Sequence, residues 1–198
     1  MLILLDAGHG GVIDGVYQTP GKRSPKWNDG SQLFEGEFNR WIVNGLSERL
    51  SQRRIPYVLI APEQRDVALR TRVNRANRYR DRPSLFVSVH ANAGGGAGFE
   101  VFTSEGTTKS DAAAHCFGEE FVREFPEKPL RADLRDGEYD KDRNFFVLKH
   151  TAMPAVLTEN FFMDNEEECK QLLMSVEGRR RIVDYHERAI VRCVQGHG

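Results

Sequence analysis

Cysteine is scarce in this 198-residue chain: Cys116, Cys169 and Cys193 are all of it, with no CxxC spacing. An odd number without that spacing does not suggest a disulfide framework. Each falls in a predicted helix and reads as a small buried apolar side chain. Long apolar runs are missing too. None approaches the ~20 residues a spanning helix needs, which excludes membrane insertion. Neither charge sign dominates, with Lys+Arg 28 against Asp+Glu 29, so a nucleic-acid surface is not expected as the main feature. No basic segment follows Met1, and the first apolar run breaks at Asp6, so the start does not read as a signal peptide. Internal repeats, low-complexity segments and linkers are absent. The length fits one domain, and residues 1–198 are read as a single unit.

What is present is an alternation of apolar strands and amphipathic helices. Strands are predicted at 2–6, 56–60, 85–89, 99–102, 145–148 and 155–158. The run at 85–89 is apolar throughout, as expected of a strand buried on both faces. Helices are predicted at 35–50, 65–80, 111–125, 166–173 and 178–194. In the first of these, Phe38, Ile42, Leu46 and Leu50 recur every four residues. The arginines of 65–80 read as a solvated face. The stretches 12–34 and 126–143 read as long loops, a length usually tied to function. Tyr17 and Trp27 in the first loop can either stack on a ligand or pin the loop to the body. The pattern predicts an α/β fold: one mostly parallel or mixed six-stranded sheet with helices on both faces.

In open sheets of this kind, ligands bind outside the carboxyl ends of the strands. Three such ends carry polar chemistry. Leu5-Asp6-Ala7-Gly8-His9-Gly10-Gly11 places a histidine in a glycine turn. Ser88-Val89-His90-Ala91-Asn92-Ala93 places a second. Val156-Leu157-Thr158-Glu159-Asn160 ends an apolar run on a carboxylate. His9 and His90, with Glu35 at a helix start, make two imidazoles and one carboxylate. This is a recurrent catalytic zinc set with a fourth position for water. Glu37 lies at the same helix start and can replace Glu35. There is no HExxH segment, so a thermolysin-type site is excluded. Glu159 is the natural general base beside such a site. His115, His150, His186 and His197 are read as non-ligands.

These blocks, with Asn39 after Glu35, Leu69, Arg72, Ala76 and Asn77 in a helix, Gly98, Glu100 and Val101, and Pro154 to Glu159 followed by Asn165, resemble the zinc-dependent N-acetylmuramoyl-L-alanine amidases of the amidase-3 type. The match runs over nearly the whole chain in order and spacing. Two departures are the long loop at 12–34 and Thr158-Glu159-Asn160-Phe161-Phe162, where the family more often has apolar residues and a glycine around the glutamate.

The resemblance implies that His9, Glu35 and His90 bind Zn2+, settling Glu35 over Glu37, and that Glu159 is catalytic. It implies an enzyme that hydrolyses the amide between the lactyl group of N-acetylmuramic acid and L-alanine in peptidoglycan. A zinc peptidase cutting another stem-peptide amide, or a non-catalytic wall-binding module, are the alternatives. The module reading expects a zinc ligand or Glu159 to be lost, and all four are present. Residues 1–198 are then a catalytic domain with no separate wall-binding domain, a monomer acting at the cell wall or periplasm. Without a signal peptide, it is either trimmed or cytoplasmic until released, which slightly favours a phage or prophage endolysin. Some relatives carry an extra helix that plugs the site before the strand at Phe145. The polar stretch from Pro126 to Arg143, with Pro129 and Gly137, is a poor long helix, so no activator protein is expected.

Overall fold

The structure is a computed structural model that describes residues 1–133, 137 and 139–196. Its strands are β1 (Leu2–Ala7), β2 (Val12–Ile13), β3 (Val16–Tyr17), β4 (Tyr57–Leu59), β5 (Ser84–Asn92), β6 (Phe99–Thr103), β7 (Lys141–Asp142) and β8 (Ala155–Phe162). The helices are α1 (Glu35–Gln52), α2 (Leu69–Ala76), α3 (Ser110–Glu124), α4 (Phe146–His150), α5 (Glu166–Glu168) and α6 (Val176–Gln195). Six strands form one sheet in the order β4-β1-β5-β8-β6-β7, and β2 and β3 form a separate hairpin. The first four sheet strands are parallel; β6 runs antiparallel to β8 and β7 parallel to β6. The expected mixed α/β sheet is therefore present.

Strand alternation sends β1 to two cores. Ile3, Leu5 and Ala7 face Phe38, Ile42, Leu46 and residues of α3 and α6. Leu2 and Leu4 face the other way, toward Val73, Ala76, Val147 and Leu148 of α2 and α4. Successive strand side chains point to opposite faces, so the unbroken apolar run of β1 needs helices on both sides. They are there.

Phe145 to Leu148 was expected as a strand, but Phe146–His150 forms α4. Val147 and Leu148 turn into the core while Lys149 and His150 stay exposed. A run of four apolar residues carries no readable period, so helix and strand look alike. The sixth strand is instead Lys141–Asp142, inside the stretch expected to be a loop; it pairs with Phe102 and Thr103. The helix expected over 65–80 starts only at Leu69 and ends in a 3-10 turn at Asn77–Tyr79. The helix expected over 166–173 is the α5 turn followed by a π-helical turn at Cys169–Leu173. Its start is capped by Asn165, whose side chain accepts from the Glu168 N–H.

The long loop at 12–34 is tied down rather than open. Tyr17 stacks on Phe34 with ring centres 4.6 Å apart, and its hydroxyl donates to Lys22 O at 2.8 Å. Trp27 packs against the main core, with the Lys170 ammonium 6.0 Å from its ring centre. The Tyr17 hydroxyl also accepts from the Gly36 N–H of α1 at 2.9 Å, so both aromatics hold the loop to the body.

Beneath β8, α6 contributes a buried polar pair. His186 Nδ1 lies 2.8 Å from Ile182 O, and Nε2 lies 3.0 Å from Thr158 Oγ1. A carbonyl only accepts, so Nδ1 carries the proton and Nε2 accepts from the threonine hydroxyl. Burial disfavours the imidazolium and pushes His186 down from 6.5 to about 3. Between those values the unfolded chain binds a proton that the folded chain does not. Stability from this residue is therefore full above pH 6.5 and is lost as the pH falls toward about 3. We expect His186→Gln to be less stable than the parent at neutral pH, with a gap that narrows on acidification. Urea midpoints measured between pH 7 and pH 4 check this, and a gap independent of pH contradicts it.

Candidate active site

β1 delivers the chain into a glycine turn whose backbone is held by two buried arginines. His9 has φ 64, in the left-handed region, which is uncommon outside glycine and has to be held by its surroundings. Its carbonyl accepts from Arg40 Nη2 at 2.9 Å and from Arg72 Nη2 at 3.1 Å. Arg72 Nη1 also donates to Ala7 O at 2.6 Å and to Asp6 Oδ1 at 2.7 Å, and its Nε donates to Val67 O at 2.8 Å. The other Asp6 oxygen accepts from Ser88 Oγ at 2.8 Å, which links β1 to β5. Arg72, expected on a solvated face, is 2% exposed.

Helix α1 begins against this turn. A side chain at Gly36 would meet Gly10 O at 1.8 Å, so only glycine permits the approach. That contact sets Glu35 beside the histidines. Asn39, one turn on, donates to Gly8 O at 3.0 Å and lies 3.5 Å from Glu35 Oε1. Glu37 faces the other way, and its Oε1 accepts from the Val12 N–H at 2.9 Å. It anchors the loop and stands apart from the histidines. A Cβ at Gly8 would fall 2.1 Å from the His90 ring, so this glycine gives the ring its place.

His90 and Glu159 are register partners on adjacent strands, and Glu159 also faces Glu100 on β6. Neither residue ends its strand as expected. β5 continues to Asn92 and β8 to Phe162, with a register irregularity between His90 and Asn92. Bulges of this kind re-aim side chains beside active sites. Asn160 supports the irregularity by donating to His90 O at 2.9 Å and accepting from the Tyr185 hydroxyl.

The result is a convergence of donor atoms. His9 Nε2 is 3.1 Å and His90 Nδ1 3.0 Å from one oxygen, Glu35 Oε1, and all three ligand atoms lie within 4.8 Å of one another. The two rings are edge to face, with centres 4.9 Å apart. His9 Nε2 is close to Glu35 but badly aligned, and among the described residues it has no hydrogen-bond partner. Ligands on a tetrahedral ion with bonds of 2.0–2.1 Å sit about 3.3 Å apart, close to the two separations from Glu35 Oε1. Two imidazoles, a carboxylate and an orphaned buried nitrogen suit a divalent cation. Burial pushes Glu35 up, but its contacts with His9 and His90 outweigh that and hold it below the usual carboxylate range.

Glu159 is the opposite case. Burial, with the negative Glu35 adding to it, pushes its carboxyl well above the ordinary range, and Lys22 offsets only part of this. Its Oε2 is buried without a partner among the described residues. His9, His90 and Glu159 lie on a groove of about 660 Å³, with Lys22, Leu69 and Phe145 among its walls. The other histidines stand apart. His115 pairs with Glu119, His150 packs on Phe146 and His186 lies beneath β8. His197 is outside the described residues.

The family model for N-acetylmuramoyl-L-alanine amidase, Amidase_3, matches residues 3–192. The chain belongs to that family. An N-acetylmuramoyl-L-alanine amidase of Bacillus licheniformis, CwlM, is 30% identical over 175 residues, covering 87% of this chain and 61% of that protein. An endolysin of Bacillus phage SPP1 is 31% identical over 174 residues, covering 86% and 58%. The chain thus spans about three fifths of the length of these two relatives. The solved amidase from Clostridium difficile 630 superposes with a TM-score of 0.80 at 23% identity, covering 100% of this chain and 98% of that one. At that identity the likeness establishes the amidase fold alone.

Arg72 is the residue whose role in the amidase site escapes composition, because it sits among exposed arginines. Its position was still readable: Arg72 shares a helical stripe with Val73 and Ala76, both buried. Removing it strands a buried carboxylate, which typically costs about 3–5 kcal/mol. We expect Arg72→Met to lose that much in denaturant unfolding. A loss below about 1 kcal/mol would show that Asp6 needs no counter-ion.

Proposed function

We propose that this chain is a zinc-dependent hydrolase that cleaves the amide between the lactyl group of N-acetylmuramic acid and L-alanine in peptidoglycan. The observation that carries this reading is the meeting of His9 Nε2, His90 Nδ1 and Glu35 Oε1 beside Glu159, whose Oε2 has no partner among the described residues. Family membership supplies the substrate class. In this reading residues 1–198 act as one catalytic domain, as a monomer, at the cell wall. Among the described residues no helix is long and apolar enough to cross a membrane.

His9, Glu35 and His90 would hold the zinc. Zinc bound there supplies a Lewis acid that polarises a carbonyl and lowers the pKa of water to about 7. The remaining steps belong to the protein. Glu159 takes a proton from the attacking water and passes it to the nitrogen as the amide breaks. Its burial beside Glu35 raises its affinity for a proton, which suits a group that holds a proton and hands it on. Asn39 and the Arg40–Arg72 pair orient the ligating groups and do not touch the reacting atoms. The groove walls, Lys22 and the loop behind it included, would select the muramyl peptide.

Mass spectrometry of fragments from purified peptidoglycan tests the bond assignment. Free stem peptides beginning with L-alanine are expected, with no new sugar reducing ends. New amino termini on any other residue would favour the zinc-peptidase alternative, and no release at all would favour a wall-binding module. Glu159→Gln is expected to keep its metal and fold while losing about 10²–10⁴-fold in turnover. Loss of metal instead would make Glu159 a ligand.

No activator is needed in this reading. The stretch from Pro126 to Arg143 holds no helix among its described residues, Leu134, Arg135, Asp136 and Glu138 lying outside them. The purified chain alone is expected to clear a peptidoglycan suspension. A requirement for a second protein would contradict this.

A further inference from the structure

Helices α3 and α6 pack antiparallel, and a ladder of ion pairs sets their register. Arg188 Nε donates to Glu120 Oε2 at 2.8 Å, and Arg192 Nη1 donates to Glu120 Oε1 at 3.2 Å. Arg192 also pairs with Glu119 at 2.5 Å. One step further, toward the start of α3 and the end of α6, the ladder ends on Cys116 and Cys193. Their thiols lie within reach of each other and line the same cavity. Cys193 is 6% exposed, while Cys116 is half-buried and so reachable. A cavity of about 120 Å³ opens beside the pair, lined by both cysteines, with Lys109 and Arg192 among otherwise apolar walls such as Leu85 and Pro154.

We propose that Cys116 and Cys193 form a dithiol redox site, which a low-molecular-weight disulfide converts reversibly into an internal disulfide joining α3 to α6. Exposure divides the two roles. Cys116 is the half-buried, reachable thiol, and the Arg192 guanidinium beside it favours its thiolate although burial opposes this. Thiolates rather than thiols attack disulfides. Cys193 is buried beside it, which holds its thiol protonated and leaves it the second step.

Cys116 sulfur attacks one sulfur of the reagent. The reagent's S–S bond breaks, and the first thiolate leaves and takes up the proton that Cys116 gave up. Cys193 sulfur then attacks Cys116 sulfur, the mixed disulfide breaks, and the Cys193 proton goes to the second departing thiolate. Two electrons pass from the protein to the reagent, which leaves as two thiols. The product closes a loop that includes β7, α4 and β8, and with them Glu159. Long closed loops restrict the unfolded chain most.

The test is to expose the folded full chain to oxidised glutathione, quench with acid and map peptides without reduction. The expected result is an intact mass lower by two hydrogens and a single cross-linked pair containing Cys116 and Cys193, reversed by dithiothreitol. The melting temperature should rise by about 5–10 °C. Cys169, wholly buried, should stay reduced. Cys193→Ser should trap a glutathione adduct on Cys116. An unchanged mass, an adduct that persists on the unsubstituted chain, or a cross-link involving Cys169 would each overturn the proposal.

Discussion

The structure depends on one buried ion pair, Arg72 with Asp6. A charge pair out of water is costly unless its remaining hydrogen-bonding capacity is used. Here it is used on the backbone of the site. The guanidinium fork reaches Asp6, Ala7 O, Val67 O and His9 O, and Ser88 takes the other Asp6 oxygen. Lysine offers a point charge and could not serve four acceptors in one plane. Through this pair, α2, β1 and β5 are tied to a single point, and the left-handed conformation of His9 is held from below.

What the frame positions is a site under electrostatic tension. Glu35 is stabilised as an anion by two imidazoles, while the half-buried Glu159 is destabilised as an anion by desolvation and then by Glu35. Two carboxyl groups pushed in opposite directions fit the proposed division, in which Glu35 binds and Glu159 moves protons. Glycine makes the arrangement sterically possible, since Gly8 leaves room for the His90 ring and Gly36 lets α1 touch the turn. The polar contacts under β8, Tyr185 to Asn160 to His90 O, fix the other side. Ligand geometry held by such supporting contacts is set before a cation arrives.

Much of this was legible in the chain. His9, His90 and Glu159 interrupt apolar strands with chemistry that a core has no use for. Glu35 opens a helix whose period is plain. Other features carried no local signal. Phe145 to Leu148 was too short for its period to separate helix from strand. Lys141–Asp142 is polar and two residues long, and it is a strand only because β6 has a free edge there. The choice of Glu35 over Glu37 depends on which way each side chain leaves the first turn of α1, which follows from the Gly36–Gly10 contact between distant residues. The continuation of β5 and β8 past the site depends on Asn160 and Tyr185 meeting across the core.

The central claim is that His9, Glu35 and His90 form one prebuilt zinc site. Calorimetric titration of metal-free protein with zinc tests it most directly, on the parent chain and on Glu35→Gln. The account predicts one zinc per chain, and for the variant a loss of affinity beyond the roughly 10–100-fold expected for an outer-shell partner. Equal affinity in the two proteins, or no saturable binding to the parent chain, would contradict it.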